Sequence, residues 1–222
     1  MQIAHESFNN ATSIIEGKFG AQWGELSTTL TRMPLHLKAS DQAGKQGRPI
    51  FDPVGTNQAI KDSLTKKAWK TGLPIPGKFD FLGTDIDFEK DGLLVEVQFS
   101  NYPFLLNNLL RSELFFKARL GFSGPPVEAV IIVTKAHMFE ASNSTLYYEQ
   151  AVKQMTALAE NKVFDVPMRV VGLFEETNKK VKVQWSEYHN PRYSRTVVRR
   201  EEREKVISGE RSGRSRCRID LR

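Results

Sequence analysis

Two short acidic stretches carry most of the chemistry that this sequence offers. Asp85-Ile86-Asp87 is followed, after eight intervening residues, by Glu96 in the run Val95-Glu96-Val97-Gln98-Phe99. If both stretches are strands joined by a tight turn, Asp87 lies close to Glu96. Two carboxylates held together repel unless a cation neutralises them. Carboxylates and a backbone carbonyl, that of Val97 being available, are the hard oxygen donors that Mg²⁺ selects. Such a cluster can bind a phosphodiester, acidify a water held on the cation and stabilise developing charge. The chemistry to expect is metal-assisted hydrolysis. The D-x8-E-x-Q spacing is weakly specific by itself, because acidic residues near hairpin turns are common.

The elements that must place these groups can be read around them. Asp91-Gly92 is a favoured hairpin turn between strands near Phe79 to Phe88 and Leu93 to Phe99. Strand alternation puts Glu96 and Gln98 on one face, and Val95, Val97 and Phe99 on the other. Upstream, helical spacing runs from Phe8 to Phe19, from Gln22 to Met33 and from Asn57 to about Lys70. The Leu73-Pro74-Ile75-Pro76-Gly77 break follows. Pro103 to Leu120 predicts a helix with Pro in its first turn and apolar residues around most of its circumference, which places it centrally or at a subunit interface. Val127 to Thr134 and Met168 to Phe174 read as buried strands, with an amphipathic helix from Leu146 to Glu160 between them. Val181 to Trp185 and Arg192 to Val198 alternate as a small antiparallel lobe. The expected fold is α/β, a mixed sheet flanked by helices, with residues 1–178 as the core and residues 179–222 as a β extension carrying a basic tail.

Composition narrows the partners. The chain has 222 residues, 40% of them hydrophobic, and Phe outnumbers Tyr and Trp together by 14 to 8, so a packed core is expected. No apolar run has the length of a membrane span, and the first residues lack the pattern of a secretory leader. The single Cys217 allows neither an internal disulfide nor a cysteine-rich zinc cage. A cytoplasmic protein is expected. The net charge of +6 falls entirely within residues 192–222, which hold 11 Lys/Arg against 5 Asp/Glu; the rest of the chain is neutral. A basic segment on a neutral body suits a polyanion such as DNA. After Val206 the Ser, Gly and Arg-rich stretch reads instead as a solvated, frayed tail. His5, His36, His137 and His189 lack metal-ligand spacing, and neither a phosphate-binding glycine loop nor a GxSxG elbow is present.

Long blocks between about Met33 and Val198 carry a family resemblance. They include MPLHLKASDQA, IFDPVGTNQAIKD, FDFLGTDIDF, LVEVQFSNYPFLLNN, RSELF, ASNSTLYYEQA, VFDVP and RYSRT. On these blocks the chain resembles the BglII-like type II restriction endonucleases of the PD-(D/E)xK nuclease superfamily, and more distantly the BamHI-like branch. The resemblance implies Asp87, Glu96 and Gln98 as catalytic residues, with Asp87, Glu96 and the Val97 carbonyl on Mg²⁺ and a metal-held water as nucleophile. Gln98 stands where most of the superfamily carries Lys or Glu; a neutral amide can orient a water but is no strong base. Gly72 stands where relatives often place a polar or acidic side chain near the metal.

The resemblance further implies that Ser100, Asn101, Arg111, Asn143, Ser144, Tyr193 and Arg195 contact DNA. Asn, Ser and Arg suit base edges. Each also has a plainer role: Asn143 or Ser144 can cap the following helix, Ser100 and Asn101 can open the next one, and Arg195 can meet a phosphate. The implied partners are double-stranded DNA, a second copy of the chain and a cognate DNA methyltransferase. The implied target is a palindrome centred on GATC, AGATCT cut after its first base, with RGATCY as the alternative. A repressor without cleavage and a repair nuclease of the same superfamily remain the competing functions.

Overall fold

The structure is a computed structural model; it describes residues 1–99, 103–136, 146–190 and 195–208, and the backbone of 218–220. Eleven strands, β1 (Gln2–Phe8), β2 (Leu35–Ala39), β3 (Pro49–Phe51), β4 (Lys70–Pro74), β5 (Asp85–Lys90), β6 (Leu93–Val97), β7 (Ala129–Lys135), β8 (Met168–Phe174), β9 (Lys180–Tyr188), β10 (Val197–Ser208) and β11 (Arg218–Asp220), form two sheets. Five helices accompany them: α1 (Ala11–Gly17), α2 (Gly20–Arg32), α3 (Pro53–Thr65), α4 (Phe104–Lys117) and α5 (Tyr148–Glu160).

The first sheet has the order β1-β8-β7-β6-β5-β4, with β6, β7 and β8 parallel to one another and the other neighbours antiparallel. Its central strand β7 is buried along its whole length, which is why Ala129 to Thr134 reads as an unbroken apolar run. One face packs Leu93, Val95 and Ile131 against Ile15, Leu26, Leu30 and Ile60 of α1, α2 and α3. The other packs Leu94, Val130 and Ile132 against Leu105, Leu109 and Phe115 of α4 and Ala151 and Met155 of α5. Each fully buried Leu, Ile or Val contributes about 1.5–3 kcal/mol relative to exposure, so a sheet covered on both faces holds its strand ends in fixed register.

The second sheet, β11-β10-β9-β2-β3, draws strands from both ends of the chain, because β9 pairs in parallel with β2. Residues 179–222 therefore do not build the extension alone. The N-terminal third is also less helical than its spacing predicts: β1, β2, β3 and β4 lie within it. β1 is stabilised by antiparallel pairing with β8, from Gln2 opposite Phe174 to Phe8 opposite Met168; that pairing has no local signal. The expected helix to Lys70 ends at Thr65, and Ala68 turns the chain at φ 62° into β4. The expected strand from Phe79 starts only at Asp85, because Gly77–Leu82 is a 3-10 turn ended by Gly83 at φ 133°. Nor is the stretch after Val206 all tail: β10 continues to Ser208 and pairs with β11.

The expected hairpin turn is present. Asp91 and Gly92 adopt φ 57° and 91°, and a Cβ on Gly92 would lie 2.6 Å from the Pro126 carbonyl oxygen. Glu89, buried, accepts the Gly92 N–H at 2.8 Å and a hydrogen bond from Ser123. This lock fixes β5 against β6, and so sets where Asp87 and Glu96 meet.

Candidate active site

β5 and β6 pair at Phe88↔Val95, Glu89↔Leu94 and Lys90↔Leu93, so one step beyond this ladder Asp87 stands opposite Glu96. There the backbone bond gives way to a side-chain one: Asp87 Oδ2 accepts the Val97 N–H at 2.7 Å. Glu96 is 2% exposed and lies on the face covered by α4. Arg111 of α4 places Nη2 2.6 Å from Glu96 Oε1, a charge contact whose angle falls short of a hydrogen bond. Its Nη1 reaches the Asp85 carbonyl at 3.4 Å. One turn earlier on the same helix, Asn108 donates to Gln98 Oε1 at 3.4 Å.

Burial pushes the Glu96 carboxyl up to about 8, against the pull of Arg111 and with the help of Asp87. Burial also raises Asp87, while the Val97 N–H and Arg111 draw it back and Asp85 pushes it up. By area Asp87 is open to solvent, yet protein surrounds it in a narrow pocket. The walls of that pocket desolvate the Asp87 carboxyl.

That pocket, of about 120 Å³, is lined by Asn57 and Lys61 of α3, Gly72 of β4, Asp85 and Asp87 of β5 and Val97 of β6. Gly72 has φ +60°, and a Cβ there would meet only Asp85 Oδ2, at 3.9 Å. A larger groove of about 780 Å³, near Arg32, Glu175, Lys182 and Arg203, shares no lining residue with it.

Among the described residues no three His, Cys, Asp or Glu side chains converge as a metal cage. Asp87 and Glu96 are a two-carboxylate set, and Val97 lines the pocket beside Asp87. This fits a small hard cation that keeps waters and takes further oxygens from a substrate phosphate. The raised Asp87 and Glu96 carboxyls are what such a site looks like before its cation compensates them.

Of the residues expected to contact DNA, Arg111 is found against Glu96 and Arg195 is exposed ahead of β10. Ser100, Asn101, Asn143, Ser144 and Tyr193 lie outside the described residues. The sequence reading did not anticipate the contacts of Arg111 and Asn108, nor the presence of Asn57, Lys61 and Asp85 in the pocket. A usable signal existed for the first pair: Asn108 and Arg111 stand three apart in a helical segment, so they share a face.

The model for restriction endonuclease BglII/BglIII matches residues 3–173. This chain belongs to the BglII family of restriction endonucleases. The type II restriction enzyme BglII of Bacillus subtilis is 55% identical over 201 residues, covering 90% of this chain and 89% of that one. A crystal structure of BglII complexed with a DNA 16-mer superposes with TM-score 0.94 at 50% identity, over 99% of both chains. A structure of free BglII gives 0.77 at 47% identity over the same coverage. The fold is the α/β endonuclease core, and the chain is a site-specific endonuclease that cleaves DNA. Its family uses a divalent metal. No helix among the described residues is long and apolar enough to cross a membrane.

The buried carboxyl has a thermodynamic consequence. The folded Glu96 carboxyl lies near 8, above its ordinary 4.5, so its contribution to stability is full below about 4.5 and is lost as pH rises through about 8. Glu175, raised to about 7, acts in the same direction over a lower window. His36, lowered to about 4, acts oppositely: its contribution is lost as pH falls from 6.5 through 4. Between about pH 6.5, above the window of His36, and about pH 8 the metal-free protein should therefore lose roughly 2–4 °C of Tm per pH unit, and the profile should level off above about pH 9. Scanning calorimetry on Glu96→Gln should show a much flatter profile; a slope equal to wild type would refute the assignment.

Proposed function

We propose that this enzyme hydrolyses double-stranded DNA at a palindrome centred on GATC, with Mg²⁺ as its metal. The observation that carries the reading is that Asp87 stands opposite Glu96 one step beyond the β5–β6 ladder, in a chain of the BglII family. Asp87, Glu96 and the Val97 carbonyl would hold the ion. When bound, Mg²⁺ supplies charge neutralisation and polarises water and the scissile phosphate. Gln98, held by Asn108, orients a water through its amide. Arg111 keeps Glu96 within reach of ionisation at working pH.

Base reading is assigned to Ser100, Asn101, Asn143, Ser144, Tyr193 and Arg195, from the family blocks they occupy, with AGATCT as the first target and RGATCY as the alternative. The enzyme acts as a homodimer, because a palindrome presents equal half-sites to two protomers related by a twofold axis. Helix α4 offers a surface for that: Phe104, Leu106 and Leu110 are 46%, 43% and 61% exposed beside its buried face. Its place is the cytoplasm, where a cognate methyltransferase protects the host sites.

Digestion of unmethylated plasmid in Mg²⁺, followed by sequencing of fragment ends, tests this. The expected product is a discrete set of fragments with four-base 5′ overhangs reading GATC. Ends without GATC would overturn the target, GATC flanked by G and C would overturn its outer bases, and nicks or smears would point to a repair nuclease.

A further inference from the structure

A phosphodiester entering the small pocket meets the carboxyl groups of Asp85 and Asp87 and needs a cation from the protein as well as any bound metal. Arg111 is not available to it: its guanidinium is buried on Glu96 and the Asp85 carbonyl. Gln98 is neutral and engaged with Asn108. Among the described residues the one cationic side chain that lines the pocket is Lys61. It is exposed and forms no ion pair among the described residues, although Asp85 and Asp87 share the pocket with it.

Its placement is built rather than incidental. Asn57 and Lys61 are four apart on α3, so both present toward the same opening. The helix is pinned at its start by Asp52, fully buried, whose Oδ1 accepts the Val54 N–H at 3.1 Å and whose Oδ2 accepts the Tyr188 hydroxyl at 2.7 Å. Ile60 and Leu64 bury the adjoining strip of the helix in the core, so Asn57 and Lys61 stand at the edge of that contact. The second sheet thus holds α3, through β9, at a fixed distance from β5.

We infer that Lys61 is a further catalytic residue of the cleavage reaction, whose ammonium contacts the scissile phosphate from α3, on the wall of the pocket that also holds Asp87. This rests on the reading of Asp87 and Glu96 as the cleavage site. Lys61 supplies a positive charge that an amide at position 98 does not. It stabilises the phosphate as negative charge builds on its oxygens, without acting as the base.

The test compares two specific duplexes, one natural and one carrying an uncharged methylphosphonate at the cleaved linkage, with binding measured in Ca²⁺. Wild type should prefer the charged linkage by about tenfold or more, the size expected of a charged hydrogen bond. Lys61→Met should reduce that preference severalfold, leaving the part that Ca²⁺ contributes, and Lys61→Arg should retain most of it. Single-turnover cleavage in Mg²⁺ should fall about a hundredfold in Lys61→Met, with an unchanged Tm. A wild type indifferent to the methylphosphonate, or a preference untouched by Lys61→Met, overturns the inference. If that happens while Asp87→Ala is inactive, only the lysine assignment falls. If Asp87→Ala still cleaves, the site itself is misplaced.

Discussion

Asp87→Ala and Glu96→Ala should each slow cleavage in Mg²⁺ by about a thousandfold or more, while specific binding in Ca²⁺ stays within about tenfold of wild type. The two functions separate because they draw on different groups. Binding rests mostly on phosphate and base contacts spread over the interface. In the proposed mechanism cleavage rests on the carboxylates of Asp87 and Glu96, which meet where β5 and β6 adjoin. Ca²⁺ accepts oxygen ligands in a larger and looser shell than Mg²⁺, so it can neutralise the site without placing water and phosphate for reaction. Asp87 also accepts the Val97 N–H, so its loss could act through the strand rather than the metal. Asp87→Asn keeps an acceptor for that N–H and removes the charge; it should be as inactive as Asp87→Ala. Near-normal cleavage by either variant in Mg²⁺ would show that the site lies elsewhere.

Arg111→Met should displace the pH dependence of cleavage upward, and at neutral pH and limiting Mg²⁺ lower the rate by about tenfold for each pKa unit that Glu96 rises. Glu96 already stands near 8 with the guanidinium beside it. Without that charge its carboxyl holds its proton still more tightly, and the cation must displace it. A buried carboxyl neutralises rather than remaining charged and alone, so the variant should fold. Activity should return at higher pH or higher Mg²⁺. The family resemblance implies instead that Arg111 contacts DNA. In that case the variant would bind DNA more weakly with a shallower salt dependence, and added Mg²⁺ or base would restore nothing. A rate profile measured across pH at two Mg²⁺ concentrations, with binding measured in parallel, distinguishes the two roles.

The chain's own sequence determined the central elements and the meeting of Asp87 with Glu96. Met168 to Phe174 is a strand as read, and the strand and helix around Val127 and Leu146 shift by only a residue or two at their starts. These are local matters: a run of β-branched residues, a 3.6-residue period, an Asp-Gly turn. The turn fixes the offset between β5 and β6, so Asp87 facing Glu96 was legible from spacing alone. Only the tertiary structure decided which groups surround that pair. Strand β1 exists because β8 is there to pair with it, and β2 because β9 is; neither carries enough local pattern to be distinguished from loop or helix. Arg111 reaches Glu96 because α4 covers that face of the sheet, and Lys61 reaches the pocket because Tyr188, over a hundred residues later, holds Asp52 at the head of α3. A charge's partner is set by packing between elements distant in sequence, and no spacing within one element encodes it.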